Sequence, residues 1–128
     1  MVRIPKELDL VARAAVDSAF AVHTALGPGL LESVYETCLA HELRKRNFQV
    51  ERQVPLPVKY DGLELEAGFR LDLLVNQTLI IELKTVDSLL PVHHAQVLTY
   101  LKLSGLRLAL LINFNSATLK SGIKRVAL

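Results

Sequence analysis

The stretch "GFRLDLLVNQTLIIELKTV", residues 68–86, decides the fold of this chain. Its two apolar runs, at about 68–75 and 78–84, predict a pair of buried strands. Four charged residues interrupt these runs: Arg70, Asp72, Glu82 and Lys84. An unpaired buried charge costs several kcal/mol or is neutralised by a proton. The four residues are therefore candidates for a functional site.

The turn between the two strands decides whether Asp72 can meet Glu82. Side chains alternate along a strand, so Glu82 and Lys84 share one face. A two-residue turn at 76–77 would put Glu82 on the far side from Asp72. A three-residue turn at 76–78, or an equivalent bulge, would place the two acids opposite each other, with Cβ atoms about 4.5–5.5 Å apart. Carboxylates that close either take up a proton or bind one hard cation.

Two helices are predicted before this stretch. Apolar residues at helical spacing run through residues 6–26, and "GPG" at 27–29 breaks the pattern. A second helix is predicted from about residue 30 to residue 46. Its last turn holds three basic residues that suit the negative end of a helix dipole: Arg44, Lys45 and Arg46.

Beyond the second helix the apolar period changes to two residues, which predicts strands. Pro55 and Pro57 confine the segment 48–60 to an edge strand or an irregular strand. The dipeptide "DG" at 61–62 is typical of a hairpin turn, and the hairpin would return through 63–67.

The last third of the chain predicts one more helix and two more strands. Pro91 suits the first turn of a helix, and Gly105 suits the position just past its end. Residues 106–114 read as a fully buried strand, and 123–128 as a short last strand. The order of elements predicts an α/β fold with a mixed central sheet flanked by helices, with residues 1–128 as one domain.

Composition sets the broad class of the protein. Of the 128 residues, 51% are hydrophobic and 22% are charged, which are globular values. The net charge of +2 is compatible with a nucleic-acid partner without establishing one. The single cysteine, Cys38, excludes an internal disulfide and a cysteine-rich zinc site. We see no signal peptide and no apolar run long enough to cross a bilayer, so we expect a cytoplasmic protein without membrane contact.

An aspartate and a Glu-x-Lys sequence on adjacent strands supply the groups that phosphodiester hydrolysis requires. Oxygen ligands hold Mg²⁺, and the metal lowers the pKa of a bound water and neutralises the phosphate. A lysine beside the metal orients the water or stabilises the charge that develops at phosphorus. Glu-x-Lys by itself is commonly a surface pair at the end of a strand. The apolar surroundings in "LIIELK", residues 79–84, favour the functional interpretation.

Four motifs then follow one another along the chain: "GLLESVY" at 29–35, "GFRLD" at 68–72, "ELK" at 82–84 and "QVLTY" at 96–100. The last three, in this order, resemble the PD-(D/E)XK nuclease superfamily and its RecB-like branch. The first is similar to the GxxExxY proteins, a small bacterial group assigned to the same superfamily. The resemblance covers about residues 10–115 and implies a restriction-endonuclease-like fold with an αβββαβ core.

The resemblance implies roles for individual residues. Asp72 and Glu82 would bind Mg²⁺ or Mn²⁺, with the backbone carbonyl of Leu83 as a further ligand. Lys84 would be the catalytic lysine. Glu32 would be the acidic residue that the first core helix contributes near the metal, either as a ligand or as a catalytic group. The start of a helix explains Glu32 equally well, because an acid in the first turn answers free backbone N–H groups.

Five further residues are candidates for substrate contact or for support of the site: Arg70, Tyr35, Gln96, Tyr100 and His93. Gln96 and Tyr100 share a helix face, and His93 lies on the same face. In the related nucleases the glutamine and tyrosine contact the site or the nucleic acid. Arg70 would neutralise the carboxylates. Tyr35 belongs either to the core or, through its hydroxyl, to the site.

The expected function is a Mg²⁺-dependent nuclease acting on nucleic acid, with DNA preferred over RNA. Two alternatives stay open. The chain would otherwise be a catalytically silent nuclease-fold domain that binds nucleic acid or protein, acting as a homodimer. A metal-dependent hydrolase acting on another kind of substrate is the third reading.

Overall fold

A computed structural model of the protein describes residues 3–66 and 68–128. Met1, Val2 and Ala67, the last of which belongs to the predicted hairpin return, lie outside the described residues. The helices and strands are, in chain order, α1 (Lys6–Leu26), α2 (Glu32–Lys45), β1 (Val50–Pro55), β2 (Val58–Tyr60), β3 (Leu63–Leu65), β4 (Arg70–Val75), β5 (Leu79–Lys84), α3 (Pro91–Ser104), β6 (Leu108–Asn113) and β7 (Ile123–Ala127), with a 3₁₀ turn at Leu119–Gly122. The predicted helices and strands are confirmed, with bounds that differ by a few residues.

The main sheet has five strands in the order β1-β4-β5-β6-β7. Only the pairing of β5 with β6 is parallel among these neighbours. Helix α3 makes the crossover between them that a parallel pair requires. Strand β1 lies at the edge of the sheet, as Pro55 predicted. The elements α2, β1, β4, β5, α3 and β6 give the predicted αβββαβ order, and the mixed α/β class is confirmed.

The short strands β2 and β3 form a separate hairpin. Asp61 and Gly62 connect them, with φ angles of 47° and 80°. Two consecutive positive φ angles are what a two-residue turn of the inverted type I requires, and glycine accepts them most readily. The hairpin predicted from "DG" is confirmed.

Apolar side chains cover both faces of the main sheet. On one face, Ile81 and Leu110 pack with Ala15 of α1 and Leu39 of α2. On the other face, Ile80 and Leu111 pack with Val97 and Leu101 of α3. The side chains of neighbouring strand residues therefore enter two different cores, as expected for a sheet that is buried on both faces.

Helix α1 is the longest helix, with 21 residues. Its buried stripe consists mainly of small residues, and Asp9 on its outer face pairs with Arg125 of β7 at 2.8 Å. Within residues 3–66 and 68–128, none of the helices combines the length and the apolar character that crossing a bilayer requires.

The alternation of side chains shifts by one residue on both β1 and β4. On a regular strand, residues an even number of positions apart face the same side of the sheet. Val50 and Val54 of β1 nevertheless pack in different cores, and so do Leu73 and Leu71 of β4. The shift lies at Gln53, which has a φ of 51°, and at Asp72, which is opposite Gln53 in the β1–β4 register. The irregular positions of the two strands therefore lie side by side.

Candidate active site

A three-residue turn joins β4 to β5. Residues 76–78 form the turn, and Val75 pairs with Leu79. The same register places Asp72 opposite Glu82. The two-residue alternative, which would have separated the acids, is therefore wrong for this chain.

Strands β4 and β5 stop pairing just before the two acids. The last pair of the ladder is Leu73 with Ile81. Beyond it, the backbone N–H of Leu83 donates to Oδ2 of Asp72 at 2.8 Å. A half-buried carboxylate thus takes the place of a backbone acceptor, in a charge-assisted hydrogen bond that is stronger than the neutral kind.

Glu82 is almost fully buried, with 5% of its surface exposed. Its Oε2 lies 3.3 Å from Nζ of Lys84, so the two residues share a face as predicted. Its Oε1 is buried and has no hydrogen-bond partner among the residues that the structure describes. Buried polar atoms without a partner are rare in folded proteins. The atom is therefore a place for a proton or a cation.

The acid pair changes the protonation of Glu82. Burial, followed by the charge of Asp72, raises the pKa of Glu82 to about 8, although the nearby Lys84 ammonium acts in the opposite direction. The nearness of the Asp72 carboxyl also favours the protonated form of Glu82, because two carboxyls can hydrogen-bond to each other only when one of them carries a proton. At neutral pH Glu82 therefore holds a proton, which a cation at the same point would displace.

Glu32 is the first residue of α2 and is exposed. Partial burial of its carboxyl raises its pKa, and the charge of Asp72 raises it further, whereas Lys84 lowers it. The carboxyl is thus within electrostatic reach of the site. Glu32 also lies in the first turn of α2, as the helix-start reading predicted, and its role as a ligand or catalytic group stays a prediction.

Gln96 and Tyr100 lie on α3 beside the acid pair. Tyr100 is 4% exposed and packs against Phe69, with 5.9 Å between ring centroids. Burial, and then the charges of Glu82 and Asp72, raise the pKa of Tyr100 to about 12, while a hydrogen bond with Gln96 lowers it. The structure therefore brings this predicted pair to the candidate site.

Tyr35 belongs to the core rather than to the acid pair. Its ring is fully buried and stacks on Phe114 with 4.6 Å between centroids. Its hydroxyl donates to the carbonyl of Gly27 at 2.5 Å and accepts from the N–H of Leu30 at 3.2 Å. The hydroxyl therefore fixes the loop between α1 and α2, and these contacts support the core reading of Tyr35.

His93 and Arg70 also make contacts other than the predicted ones. Nδ1 of His93 accepts from the N–H of Leu90 at 2.9 Å, which ties the ring to the start of α3. Arg70 is exposed and donates to the carbonyl of Gln53 at 3.4 Å. In the described part of the chain, no ion pair joins Arg70 to a carboxylate. Among the described residues, no direct contact with a carboxylate supports the proposed neutralising role of Arg70.

Three residues of the site were missed by the sequence interpretation. Gln53 donates to Oδ1 of Asp72 at 3.3 Å and to Oε1 of Glu36 at 2.5 Å. Arg52 pairs with Oε2 of Glu36 at 3.0 Å. Glu36 could have been found, because it lies four residues after Glu32 on the same helix face. Gln53 carries no local signal, since only the pairing of β1 with β4 brings it to Asp72.

The donor set fits a hard divalent cation. Within residues 3–66 and 68–128, no three Asp, Glu, His or Cys side chains are grouped closely enough to hold a metal by themselves. Mg²⁺ needs only one or two carboxylates, because it keeps several of its waters. Asp72 and Glu82 supply that number, and Oε1 of Glu82 has no hydrogen-bond partner in the described part of the chain. Glu32 and the carbonyl of Leu83 as further ligands stay predictions.

Comparison with known proteins gives one match. The family model of the PD-(D/E)XK nuclease superfamily matches residues 9–126, a range that includes Asp72, Glu82 and Lys84. The searches of curated proteins and of solved structures gave no significant match. The narrower assignment to the GxxExxY proteins stays a prediction. The mixed five-stranded sheet flanked by helices is consistent with a restriction-endonuclease-like fold. Because the family model covers nearly the whole sequence, the chain belongs to the PD-(D/E)XK nuclease superfamily.

Proposed function

We propose that residues 1–128 form one nuclease domain that hydrolyses phosphodiester bonds of DNA with Mg²⁺ or Mn²⁺. One observation carries this proposal: Asp72, Glu82 and Lys84 converge where β4 and β5 part, and Oε1 of Glu82 has no hydrogen-bond partner among the described residues. PD-(D/E)XK nucleases generally use divalent metal ions, and membership of the superfamily implies nucleic-acid binding. RNA is the alternative polymer.

The two carboxylates would hold the cation. Asp72 is already fixed through Leu83, whereas Glu82 has to give up its proton first. When bound, a divalent ion lowers the pKa of a water molecule and offsets the charge of the phosphate. The backbone carbonyl of Leu83 would be a further oxygen ligand.

Lys84 would act on the reacting phosphate. Its ammonium lies beside Glu82, and 19% of its side chain is exposed, so a substrate can reach it from solvent. A positive charge in this position stabilises the negative charge that develops at phosphorus, or orients the attacking water. This role requires the ammonium form.

Residues around the acid pair would receive the nucleic acid. Glu32 lies at the rim, where its carboxyl is within electrostatic reach of Asp72 and Lys84. Gln96 and Tyr100 of α3 lie beside the acid pair. The exposed guanidinium of Arg70, at the start of β4, is suited to a phosphate of the backbone.

The test is cleavage of defined nucleic acids by the purified protein. Single-stranded DNA, linear and circular duplex DNA and RNA are incubated with Mg²⁺, with Mn²⁺ or with a chelator. We expect cleavage that depends on the metal, and its loss in Asp72→Ala and Lys84→Ala. Asp17→Ala and Lys6→Ala are matched controls, because both residues are exposed on α1, away from the β4–β5 site. Circular dichroism checks that all four variants fold.

Two results would contradict the proposal. The wild-type protein cleaving none of these substrates with either metal would contradict nuclease activity. Binding of nucleic acid that weakens steeply with salt, without any turnover, would instead favour the silent binding domain.

A further inference from the structure

We propose that Gln53 is a positioning residue of the site, whose side-chain amide holds the carboxylate of Asp72 in its cation-binding orientation. The amide is held by Glu36, and Glu36 is held by Arg52. This inference rests on the proposed function, because the cation at Asp72 and Glu82 is part of that function.

The contacts of the Gln53 amide define its orientation. Its Nε2 donates to Oε1 of Glu36 at 2.5 Å and to Oδ1 of Asp72 at 3.3 Å. Ionised carboxylates only accept hydrogen bonds, and the amide nitrogen has two N–H groups to donate. The amino side of the amide therefore has to face both acids, and each N–H has one of them as its acceptor.

The other end of this chain of hydrogen bonds is rigid. Glu36 is 7% exposed, and its Oε2 accepts from Nε and Nη2 of Arg52 at 3.2 and 3.0 Å. The same Nη2 also donates to Oγ1 of Thr37 at 2.9 Å. A planar guanidinium that donates twice to one carboxylate has little freedom left. Glu36 is therefore a fixed acceptor for the amide.

The backbone of Gln53 is bent in a way that serves this contact. Its φ of 51° lies in the left-handed region, which costs about 1–3 kcal/mol for a residue other than glycine. Successive side chains of a regular strand point to opposite faces. Here Arg52 and Gln53 both reach Glu36 on α2. The strained conformation thus brings two neighbouring side chains to one acceptor.

These contacts fix the orientation of the Asp72 carboxylate. Its Oδ2 accepts from the N–H of Leu83, and its Oδ1 accepts from Gln53. Donors on both oxygens stop the carboxylate from turning about its own axis. Each oxygen keeps a further lone pair for a cation. Loss of such a supporting hydrogen bond costs about 10–100-fold in metal affinity at known sites.

The decisive variant is Gln53→Gly. Glycine accepts a positive φ without strain, so this change removes the amide and leaves the backbone conformation available. Gln77→Gly is the matched control. Gln77 also has a positive φ, of 59°, and its amide also donates to a carboxylate, that of Glu51, but it lies in the turn at the far end of β4.

Two quantities are measured for each protein: Mn²⁺ affinity, from the electron paramagnetic resonance signal of free Mn²⁺, and the free energy of unfolding in urea without metal. We expect Gln53→Gly to bind Mn²⁺ about 10–100-fold more weakly than wild type, with unchanged or higher stability. Gln77→Gly should bind as wild type does. A purely structural role would change stability and leave the affinity unchanged.

Gln53→Met, which keeps the length of the side chain and lacks its donors, gives the same test if the glycine variant does not fold. Equal Mn²⁺ affinity in wild type and in the folded position-53 variant overturns the positioning role. Wild type that binds no Mn²⁺ overturns both the role and the proposed function. Wild type that binds Mn²⁺ without cleaving nucleic acid overturns the nuclease proposal alone, and the affinity ratio still decides the role of Gln53.

Discussion

The carboxylate of Asp72 accepts the backbone N–H of Leu83, with 2.8 Å between Oδ2 and the nitrogen. Leu83 lies between Glu82 and Lys84 on β5. One hydrogen bond therefore ties the acid of β4 to the strand that carries the other two candidate catalytic groups. It forms where the ladder between the strands has ended, so the spacing of the site depends on it.

Comparing Asp72→Asn with Asp72→Ala should distinguish the effect of the carboxylate charge from the effect of the hydrogen bond to Leu83. Asp72→Asn keeps an oxygen for the N–H of Leu83 but turns its NH₂ group toward the Gln53 amide, so we expect a smaller loss of stability than in Asp72→Ala, together with loss of metal-dependent cleavage. Asp72→Ala leaves that N–H without its acceptor, and we expect a loss of about 1–3 kcal/mol in the free energy of unfolding. Urea denaturation checks the difference. Equal stability of the two variants would show that the hydrogen bond to Leu83 contributes nothing.

Glu82 should make the metal-free protein less stable as the pH rises. Its pKa is about 8 in the folded state, against an ordinary value of 4.5, so between these values the folded state binds more protons than the unfolded state. The free energy of unfolding then falls with pH, by at most about 1.4 kcal/mol per pH unit. This contribution is complete below about pH 4.5 and is lost by about pH 8.

The matched comparison is Glu82→Gln, which cannot ionise. We expect its stability to rise relative to wild type from about pH 5 upward and the difference to become constant above the folded pKa of about 8. Urea titrations at several pH values, with a chelator present, measure the difference. Parallel pH profiles for the two proteins would contradict a raised pKa at Glu82.

Cation binding should release a proton from the acid pair. A metal ligand has to be deprotonated, so Mn²⁺ has to displace the proton of Glu82 below its pKa of about 8. We expect tighter binding at higher pH and an apparent binding enthalpy that depends on the buffer. Calorimetry in two buffers with different enthalpies of ionisation measures the proton count. No buffer dependence at neutral pH would contradict this coupling.

Tyr35→Phe should affect stability and leave the site unchanged. The variant loses the hydrogen bonds of the hydroxyl to Gly27 and Leu30 and keeps the ring that stacks on Phe114. We expect a loss of about 1 kcal/mol in the free energy of unfolding, with the same Mn²⁺ affinity. A large fall in metal affinity or cleavage at unchanged stability would show that the Tyr35 hydroxyl acts at the site.

Gly122→Ala should destabilise the fold next to β6. A Cβ at this position would lie 2.5 Å from Oγ of Ser116 and 2.6 Å from the backbone carbonyl oxygen of Asn113. The carbonyl cannot move without disturbing the end of the strand, so we expect a loss of about 1–3 kcal/mol. The double variant with Ser116→Ala should recover only part of this loss. Full recovery would mean that the serine alone limits the space.

Local patterns predicted the elements of the fold well. Helical spacing before "GPG", the "DG" turn and the pair Pro91 and Gly105 each depend on residues close together in the chain. Such signals act within one turn or one hairpin, so they can be read without knowing what the element packs against. The same holds for the common face of Glu82 and Lys84, which follows from strand alternation alone.

The site was only partly predictable for the same reason. Two turn lengths between β4 and β5 were compatible with the residues, and the structure selects the longer one. The alternation rule fails at Gln53 and Asp72, where both strands shift. Gln53 reaches Asp72 across 19 positions of sequence, and no local rule predicts that contact. The sequence left open whether the hydroxyl of Tyr35 reaches the site, and the tertiary structure shows it bonded to the loop between α1 and α2.

The amino-acid sequence by itself determined the α/β class, the order of the elements and the acids and lysine that β4 and β5 carry. These follow from periodicity, turn residues and the cost of burying charge, all of which operate over short distances along the chain. Only the tertiary structure decided which carboxylate oxygen lacks a partner among the described residues and which side chains contact Asp72. Those properties depend on the register of β1 with β4 and on the approach of α2, where residues distant in sequence are packed together and excluded from water.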